Sequence, residues 1–223
     1  MTGAERHYAG TQASEYHEKK RAIPDPAVPW VARLRAAKLQ PFIEPADTVF
    51  EFGAGYGWNL VELRCGRKVA HDIAELDREQ AGIEWVREVS ALPEGFADVA
   101  ICHHALEHVV DPAETLAVIR RLIKSEGKLL LFVPFEKERR YRKFDPAEPN
   151  HHLYSWNAQT LGNLVSECDF SVKSVQISRF GYDRFAAKWS VKLKTGEPGF
   201  RAIRSLVHLF FPAAEVRLMA RKR

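Results

Sequence analysis

The sequence predicts an α/β protein with a doubly wound, mostly parallel sheet of seven strands and helices on both faces. Two observations support this prediction. Apolar runs of strand length alternate with segments of helical periodicity along most of the chain, which is typical of parallel strands joined by crossover helices. Several of these runs end at a glycine or an acid, at the edge where such sheets bind ligands. The last strand is expected to be antiparallel.

The predicted strands are apolar runs bounded by glycine, proline or charged residues. In chain order they are Thr48–Phe52, Lys68–His71, Gly82–Val86, Ala97–Cys102, Lys128–Val133, Phe170–Ile177 and Glu215–Ala220. The predicted helices cover Trp30–Leu39, Leu60–Cys65, the segment from Asp111 to Gly127, and Trp156–Glu167. The third of these has the clearest signals, since Asp111 suits its N-cap and Gly127 its end.

Composition indicates one ordinary globular domain with a small N-terminal appendage. The chain is 46% hydrophobic and 28% charged, and no apolar run reaches the ~20 residues that span a bilayer. Three widely spaced cysteines and the lack of an apolar leader favour a reducing cytoplasm and disfavour a disulfide scaffold. We expect a lid or cap over residues 1–46 and the main domain over 47–223, with insertions at about 135–150 and 179–212. The lid would be built around three aromatic residues, Tyr8, Tyr16 and Trp30.

A glycine-rich loop follows the first predicted strand, with the spacing Gly53-x-Gly55-x-Gly57 and Glu51 two residues before it. Glycines allow a sharp turn and a close approach of the backbone to a ligand. A dinucleotide-binding loop has its third glycine one position later, where this chain has Trp58. An acid before the loop would also repel a diphosphate, whereas it suits a ligand that carries an amine. A nicotinamide-dependent oxidoreductase is therefore disfavoured.

A second acid, Asp72, ends the second predicted strand, nineteen residues after Gly53. A carboxylate at this position can accept hydrogen bonds from both hydroxyls of a ribose. Together with Glu51, it implies a ligand that contains a ribose and a positively charged amine but no diphosphate.

The chain resembles the class I S-adenosylmethionine-dependent methyltransferases from about Thr48 to Phe170. The resemblance rests on motifs that occur in the family's order. They are VFEFGAGYG for the first strand and its loop, Asp72 for the ribose acid, Ala91-Leu92-Pro93 followed by ADVAIC for the fourth strand, ALEHVVDP after it, and GKLLL for the fifth strand. The resemblance implies a Rossmann-like fold, S-adenosyl-L-methionine as cofactor and S-adenosyl-L-homocysteine as product.

The resemblance also implies which residues bind the cofactor. Those on the first strand and its loop are Glu51, Phe52, Gly53, Ala54 and Gly55. Asp72 would bind the ribose, and Glu88 and Val89 would lie near the adenine. Cys102 and His103, at the end of the fourth strand, would face the methionine portion.

Methyl transfer is an in-line displacement, so much of its rate can come from the orientation of donor and acceptor. A base is needed where the acceptor is a hydroxyl that loses its proton. Histidine suits this role near neutral pH. The catalytic candidates are His104, after the fourth strand, and His152, after the insertion. No metal site is predicted, because adjacent histidines on an extended segment point to opposite sides.

The expected acceptor is a small molecule or a glycan-type compound, methylated on a hydroxyl oxygen. The fourth strand lacks the Asn/Asp-Pro-Pro-Tyr-like motif of methyltransferases that act on adenine or glutamine amines, which disfavours nucleic acid. Arg139, Arg140 and Arg142 in the basic insertion could bind a phosphate or carboxylate of the acceptor. Two alternatives stay open, namely N-methylation of an amino sugar or small amine, and a non-catalytic module that binds S-adenosylmethionine.

The last fifth of the chain is basic, with eleven Lys and Arg against three Asp and Glu from Arg179 onwards. It contains an apolar stripe at helical spacing, formed by Phe200, Ile203, Leu206, Val207 and Phe210. Such a stripe could lie on an anionic membrane surface, as a peripheral contact. We favour the simpler interpretation that it packs against the edge of the sheet.

Overall fold

The computed structural model describes residues 23–74, 80–136, 143–145, 148 and 150–223. Its strands are β1 (Thr48–Phe52), β2 (Arg67–His71), β3 (Glu84–Val86), β4 (Ala97–His103), β5 (Ile123–Pro134), β6 (Phe170–Arg179) and β7 (Ala214–Lys222). They form one sheet in the order β3-β2-β1-β4-β5-β7-β6. The pairings are parallel, apart from the antiparallel ones that β7 makes with β5 and β6. This confirms the predicted sheet and its antiparallel last strand.

Helices cover both faces of the sheet. Those in the described residues are α1 (Val28–Leu39), α2 (Pro112–Leu122), α3 (Ala158–Glu167), α4 (Asp183–Lys192) and α5 (Gly196–Phe210). Helices α2 and α3 cover one face, where Leu116 and Leu161 are buried with Phe50. Helix α1 covers the other face, where Leu39 is buried with Ile101. Because the central strands are covered on both sides, they need the continuous apolar runs found in the sequence.

The predicted helix over Leu60–Cys65 is wrong, because residues 58–62 form turns before the chain enters β2. The carbonyl of Gly57 accepts hydrogen bonds from the N–H groups of both Leu60 and Val61, which closes a single turn. Leu60 and Leu63 are nevertheless buried on the α1 side of the sheet. The apolar spacing of Leu60 and Leu63, which resembles that of a helix face, here belongs to a buried turn.

The boundary between α2 and β5 also differs from the prediction. Helix α2 stops at Leu122 and the strand begins at Ile123, ahead of the expected start at Lys128. Ile123 is fully buried and pairs with the first residue of β4. Gly127 lies inside the strand, where a Cβ would meet the Ile123 side chain. This glycine therefore permits close packing within the sheet and does not end the helix.

Helices α4 and α5 occupy the predicted insertion at about 179–212. Phe200 of α5 is fully buried with Val31 of α1 and Ala187 of α4, whereas Leu206 and Phe210 are 57% and 71% exposed. The expectation that the whole stripe packs against the sheet edge is wrong, since the stripe extends around α5 beyond the face that contacts other helices.

Within the described part of the chain, no helix has the length and apolarity needed to cross a membrane.

Candidate functional site

One large cleft lies at the carboxyl ends of β1, β2 and β4. Its volume is about 2160 Å³. Residues of α1, α2 and α4 and of the segment after β5 complete its walls. The order of the strands reverses between β1 and β4, and this is the point at which parallel sheets bind ligands.

The glycine-rich loop after β1 turns sharply at the cleft. Gly53, Gly55 and Gly57 have φ angles of 72°, 54° and 72°, in the left-handed region that favours glycine. A Cβ on Gly53 would lie 2.5 Å from the Cβ of Ala105, in the segment that follows β4. Both the loop conformation and this close approach therefore require glycine at position 53.

Asp72 follows β2, and its carboxylate braces the glycine loop. One oxygen accepts a hydrogen bond from the N–H of Gly55 at 2.7 Å, and the other accepts one from the N–H of Ala74 at 2.8 Å. Asp72 also lines the cleft. Since a carboxylate oxygen has more than one lone-pair direction, this side chain can brace the loop and also accept a ligand hydroxyl.

Glu51, the acid before the loop, is fully buried. Its Oε1 accepts a hydrogen bond from the Asn59 amide, and its Oε2 is buried with no hydrogen-bond partner among the described residues. Burial raises the pKa of Glu51 to about 8, although the Asn59 hydrogen bond opposes this shift. A buried acceptor oxygen of this kind suits a cationic donor supplied by a ligand.

Gly53, Gly55 and Asp72 line the cleft, the fully buried Glu51 does not, and most of the other predicted cofactor residues do. Those that line it are Phe52, Ala54, Glu88, Val89 and His103. The Cys102 side chain instead lies in the core on the α2 and α3 side, and burial raises the pKa of its thiol. Neighbouring side chains on a strand point to opposite faces, so Cys102 and His103 do not both face the cleft.

His103 and His104 line the cleft, and they form a compact polar cluster with Lys38 and Glu215, which are not among its lining residues. Lys38 of α1 has its Nζ 2.8 Å from His103 Nε2 and 3.0 Å from Glu215 Oε1. Glu215 of β7 has its Oε2 3.2 Å from His104 Nε2. The two imidazole rings stack, with centroids 4.6 Å apart. The expectation that these adjacent histidines point to opposite sides is wrong, because His104 has a φ of 54° and leaves the strand geometry.

The protonation states in this cluster follow from burial and close charges. Burial lowers the pKa of His104 to about 4, although the hydrogen bond with Glu215 opposes the shift. Burial also lowers the pKa of His103 well below its usual value and lowers that of Lys38. Burial alone would raise the pKa of Glu215, but His104 and Lys38 together hold it below the ordinary value. His104 is therefore neutral and Glu215 ionised near pH 7.

A second polar group in the cleft contains His152, His108, Glu107 and Glu136. His152 Nδ1 lies 3.0 Å from Glu136 Oε1, and the rings of His152 and His108 have centroids 4.9 Å apart. Glu107 Oε1 lies 3.7 Å from His108 Nε2 and 3.9 Å from His104 Nδ1. His104 and His152, which are far apart in the sequence, therefore line one cleft and are linked through Glu107 and His108.

Some predicted residues lie outside the described part of the chain. They are the lid residues Tyr8 and Tyr16 and the acceptor-binding candidates Arg139, Arg140 and Arg142. The third lid residue, Trp30, lies on α1, and its ring centroid is 6.2 Å from that of Phe200 on α5.

Four polar residues of the site are not predicted from the sequence: Arg35, Lys38, Asn59 and Glu215. Arg35 and Lys38 are almost one turn apart on the same side of α1, and Arg35 lines the cleft. The Nε of Arg35 is buried without a hydrogen-bond partner among the described residues, and its Cζ lies 5.5 Å from the Trp58 ring centroid. Glu215 is a fully buried acid within an apolar strand, and this contrast is a signal that the sequence does contain.

Comparisons with known proteins agree on the class of fold. A family model described as a methyltransferase domain matches residues 20–175. No curated protein sequence gives a significant match. Similar solved structures include 1,6-didemethyltoxoflavin-N1-methyltransferase of Burkholderia thailandensis, at 19% identity and a TM-score of 0.63 over 94% of this chain and 84% of that one.

Two further solved structures show the same likeness. Phosphoethanolamine N-methyltransferase 2 of Haemonchus contortus has 11% identity and a TM-score of 0.65, covering 100% of this chain and 60% of its own. Geranyl diphosphate methyltransferase has 13% identity and a TM-score of 0.60, covering 86% and 78%. At these identities the likeness concerns the fold.

Proposed function

The chain belongs to the methyltransferase-domain family, and from this premise we propose that it transfers a methyl group from S-adenosylmethionine to a hydroxyl oxygen of a small-molecule or glycan-type acceptor. The observation that carries the proposal is the buried Oε2 of Glu51 beside the glycine-rich loop. Burying an acceptor oxygen without a partner is costly, and a ligand ammonium group would relieve that cost.

The methionine, ribose and adenine portions of this cofactor each have suitable residues in or beside the cleft. Glu51 would accept hydrogen bonds from the ammonium group, and Arg35, with its buried Nε, would donate to the carboxylate of the same methionine portion. Asp72 would bind the ribose, and Glu88 and Val89 would lie near the adenine. When bound, S-adenosylmethionine supplies a methyl group activated by a sulfonium.

We assign the role of general base to His104, which lines the cleft and is neutral near pH 7. Its Nε2 faces the ionised Glu215, so Nδ1 is the atom that would take the acceptor's proton. Glu215 then stabilises the imidazolium, and Lys38 keeps Glu215 ionised through their 3.0 Å contact. His152 is the second candidate for the base, because it lines the same cleft.

The N-terminal segment and the basic insertion would complete the site. We propose that residues 1–46 cap the cleft and exclude water from it, since Arg35 of α1 already contributes to its wall. The insertion that contains Arg139, Arg140 and Arg142 follows Glu136, which lines the cleft. These arginines would therefore suit an acceptor with a phosphate or carboxylate group.

N-methylation of a small amine is the second candidate function. Two of the similar structures are named as N-methyltransferases. A neutral amine needs no strong base, so in this case the His104 cluster would position the acceptor rather than remove its proton. A non-catalytic module that binds S-adenosylmethionine would show cofactor binding without turnover on any acceptor.

Calorimetric titration with S-adenosylhomocysteine tests the cofactor assignment. We expect micromolar affinity for the wild type and at least a tenfold loss for Glu51→Gln and for Asp72→Ala. The first removes the carboxyl group that can become charged opposite the ligand's ammonium group, and the second removes the acceptor for the ribose hydroxyls. Glu84→Gln, which changes an acid at the edge of the sheet on β3, is the matched control and should bind as the wild type does. Binding of NAD in place of S-adenosylhomocysteine would overturn the proposal.

Methyl transfer from labelled S-adenosylmethionine to a panel of hydroxyl and amine acceptors tests the base. His104→Gln should lower kcat on a hydroxyl acceptor by about 10²- to 10⁴-fold and leave S-adenosylhomocysteine affinity unchanged. His151→Gln is the control, since this neighbour of His152 lies outside the lining of the cleft. Unchanged kcat in His104→Gln on a hydroxyl acceptor would exclude His104 as the base.

A further inference from the structure

The geometry points to a divalent transition-metal site formed by Glu107, His108 and His152 on the acceptor side of the cleft. One candidate ligand atom from each residue lies within 4.8 Å of the others. The three residues come from two segments, the 3-10 turn Leu106–His108 after β4 and the chain beyond β5. The sequence does not predict this site, because His152 is distant in the chain from Glu107 and His108.

Backbone and side-chain hydrogen bonds hold the two segments together. The N–H of Leu153 donates to the carbonyl of Glu107 at 2.8 Å, directly beside His152. The hydroxyl of Tyr154 donates to the carbonyl of Val110 at 2.8 Å on the other side of His108. His152 is therefore fixed against Glu107 and His108 by contacts that do not involve the three candidate ligands' side chains, which is what a preorganised site requires.

Glu136 orients one of the candidate ligands. Its Oε1 lies 3.0 Å from Nδ1 of His152, and both side chains are nearly buried. Histidines that bind metals usually donate their second ring nitrogen to a carboxylate, which fixes the tautomer and directs the other nitrogen at the ion. This contact leaves Nε2 of His152 as the ligand atom.

The ligand set indicates the kind of ion. Two imidazole nitrogens and one carboxylate oxygen suit Zn²⁺, Co²⁺, Mn²⁺ or Fe²⁺ better than Ca²⁺ or Mg²⁺, which prefer oxygen ligands. Three protein ligands leave a coordination position for an exogenous group, and all three residues line the cleft. An acceptor oxygen would take that position.

The role of this ion rests on the proposed function, although its binding does not. A hydroxyl bound to a divalent ion has a lowered pKa and loses its proton more readily. His104 lines the same cleft, and its Nδ1 lies 3.9 Å from Glu107 Oε1. The site therefore favours an acceptor that chelates or bears a hydroxyl over a simple amine.

The neighbouring cluster of His103, His104 and Glu215 has a similar set of ligand atoms but is not proposed as a metal site. The ammonium group of Lys38 lies within hydrogen-bond distance of both His103 and Glu215. A cation already occupies the centre of that cluster, and its charge would repel a second one.

Titration of the metal-stripped protein with Co²⁺, followed by visible absorption, tests the proposal. We expect one equivalent of Co²⁺ to bind with a d–d spectrum, and Zn²⁺ to displace it. His108→Gln and His152→Gln should each weaken binding more than about 100-fold, and Glu136→Gln about 10- to 100-fold. His151→Gln, the adjacent histidine, is the control and should bind as the wild type does.

The possible outcomes separate this proposal from the function above. Calorimetry with S-adenosylhomocysteine on each variant checks that the fold and the cofactor site are intact. If S-adenosylhomocysteine binds and Co²⁺ does not, the metal site is wrong and the methyltransferase proposal stands. If Co²⁺ binding is lost in His104→Gln but kept in His108→Gln and His152→Gln, the ion lies in the other cluster and the proposal is overturned.

Discussion

Glu215 and His104 form the contact on which the proposed base depends. Glu215→Gln removes the charge that stabilises the imidazolium but keeps the size of the side chain. We expect kcat on a hydroxyl acceptor to fall about 10²-fold or more, with KM nearly unchanged, because the charge is needed only as the proton moves. Steady-state kinetics with labelled S-adenosylmethionine measures this split.

The pH profile supplies the second readout of the same pair. Since the pKa of His104 is lowered to about 4, the wild type should show no loss of kcat/KM from protonation of this group between pH 8 and pH 6. In Glu215→Gln the hydrogen bond that raises this pKa is weakened, so the acid limb should move to still lower pH. A limb near the ordinary histidine pKa of about 6.5 would contradict the assigned environment of His104.

Glu51 makes a prediction about stability at the residue scale. Its pKa is about 8 in the folded protein and about 4.5 when exposed, so between these values the native state holds a proton that the unfolded state has released. Its contribution to stability is therefore complete below pH 4.5 and is lost as the pH rises through 8. Glu51→Gln should be as stable as the wild type at pH 4.5 and more stable at pH 8.5.

Urea denaturation of both proteins at the two pH values measures this difference in stability. Each tenfold difference in proton affinity between the folded and the unfolded chain corresponds to about 1.4 kcal/mol of unfolding free energy. Glu51→Gln should also bind S-adenosylhomocysteine weakly. The carboxyl group whose burial lowers the stability of the free protein at high pH would then be the one that binds the cofactor. A difference in unfolding free energy that did not change with pH would show that Glu51 titrates as it does in the unfolded chain.

Among the elements, the glycine-rich loop requires its residue type at position 53 for two separate reasons. Gly53→Ala adds a Cβ that would collide with Ala105 and imposes a strained φ of 72°. Gly82→Ala imposes a similar strain, at a φ of 79°, but its Cβ would meet no atom of the described residues within 4 Å. We expect both variants to lose about 1 kcal/mol of stability from the backbone.

Gly53→Ala should lose more than that and should also lose affinity for S-adenosylhomocysteine, because the collision moves the loop against the segment after β4. Thermal unfolding and calorimetry of the two variants separate the effects of strain and collision. If Gly53→Ala lost no more affinity for S-adenosylhomocysteine than Gly82→Ala, the collision with Ala105 would have no effect on binding, and the loop would tolerate the added methyl group.

The elements that the sequence predicts well are those whose local pattern and tertiary role agree. Strand β1 is predicted residue for residue, because a run buried on both faces is mostly apolar. Asp111 caps α2 as expected, with its Oδ1 accepting the N–H of Glu114 at 2.9 Å. Leu60 and Leu63 mislead because a buried turn also needs apolar residues. Gly127 misleads because the close approach of Ile123 is a contact that local pattern does not encode.

In the candidate site, too, some residues can be predicted from the local sequence and others cannot. The loop acid Glu51 and the acid Asp72 are recognisable because they stand next to strand ends, at spacings fixed by the local chain. Lys38 and Glu215 are distant in sequence, and only the packing of α1 against the sheet beside β7 brings them together. The stacking of His103 and His104 depends on a left-handed φ at a non-glycine residue, which no periodicity predicts.

On the scale of the whole molecule, the cleft is assembled from both ends of the described chain. Arg35 comes from α1, the glycine loop and Asp72 from the middle, and Ala214 from the start of the last strand. Helices α4 and α5 pack on α1 through Phe200 and so tie the insertion to the same wall. A ligand that contacts these parts together should stabilise the entire fold and not one local segment.

The assembly of the cleft from distant segments predicts the effect of S-adenosylhomocysteine on global unfolding. At a ligand concentration 100 times the Kd, binding to the native state alone should raise the free energy of unfolding by about 2.7 kcal/mol in a single cooperative transition. Glu51→Gln, at the same concentration and with at least a tenfold weaker affinity, should be stabilised by no more than about 1.4 kcal/mol, even though it is the more stable protein without ligand at pH 8.5. Denaturation curves monitored by tryptophan fluorescence and by circular dichroism should coincide. A shift seen by only one of the two probes would mean that the cofactor stabilises one segment, and that α1 and β7 are not joined through the cleft.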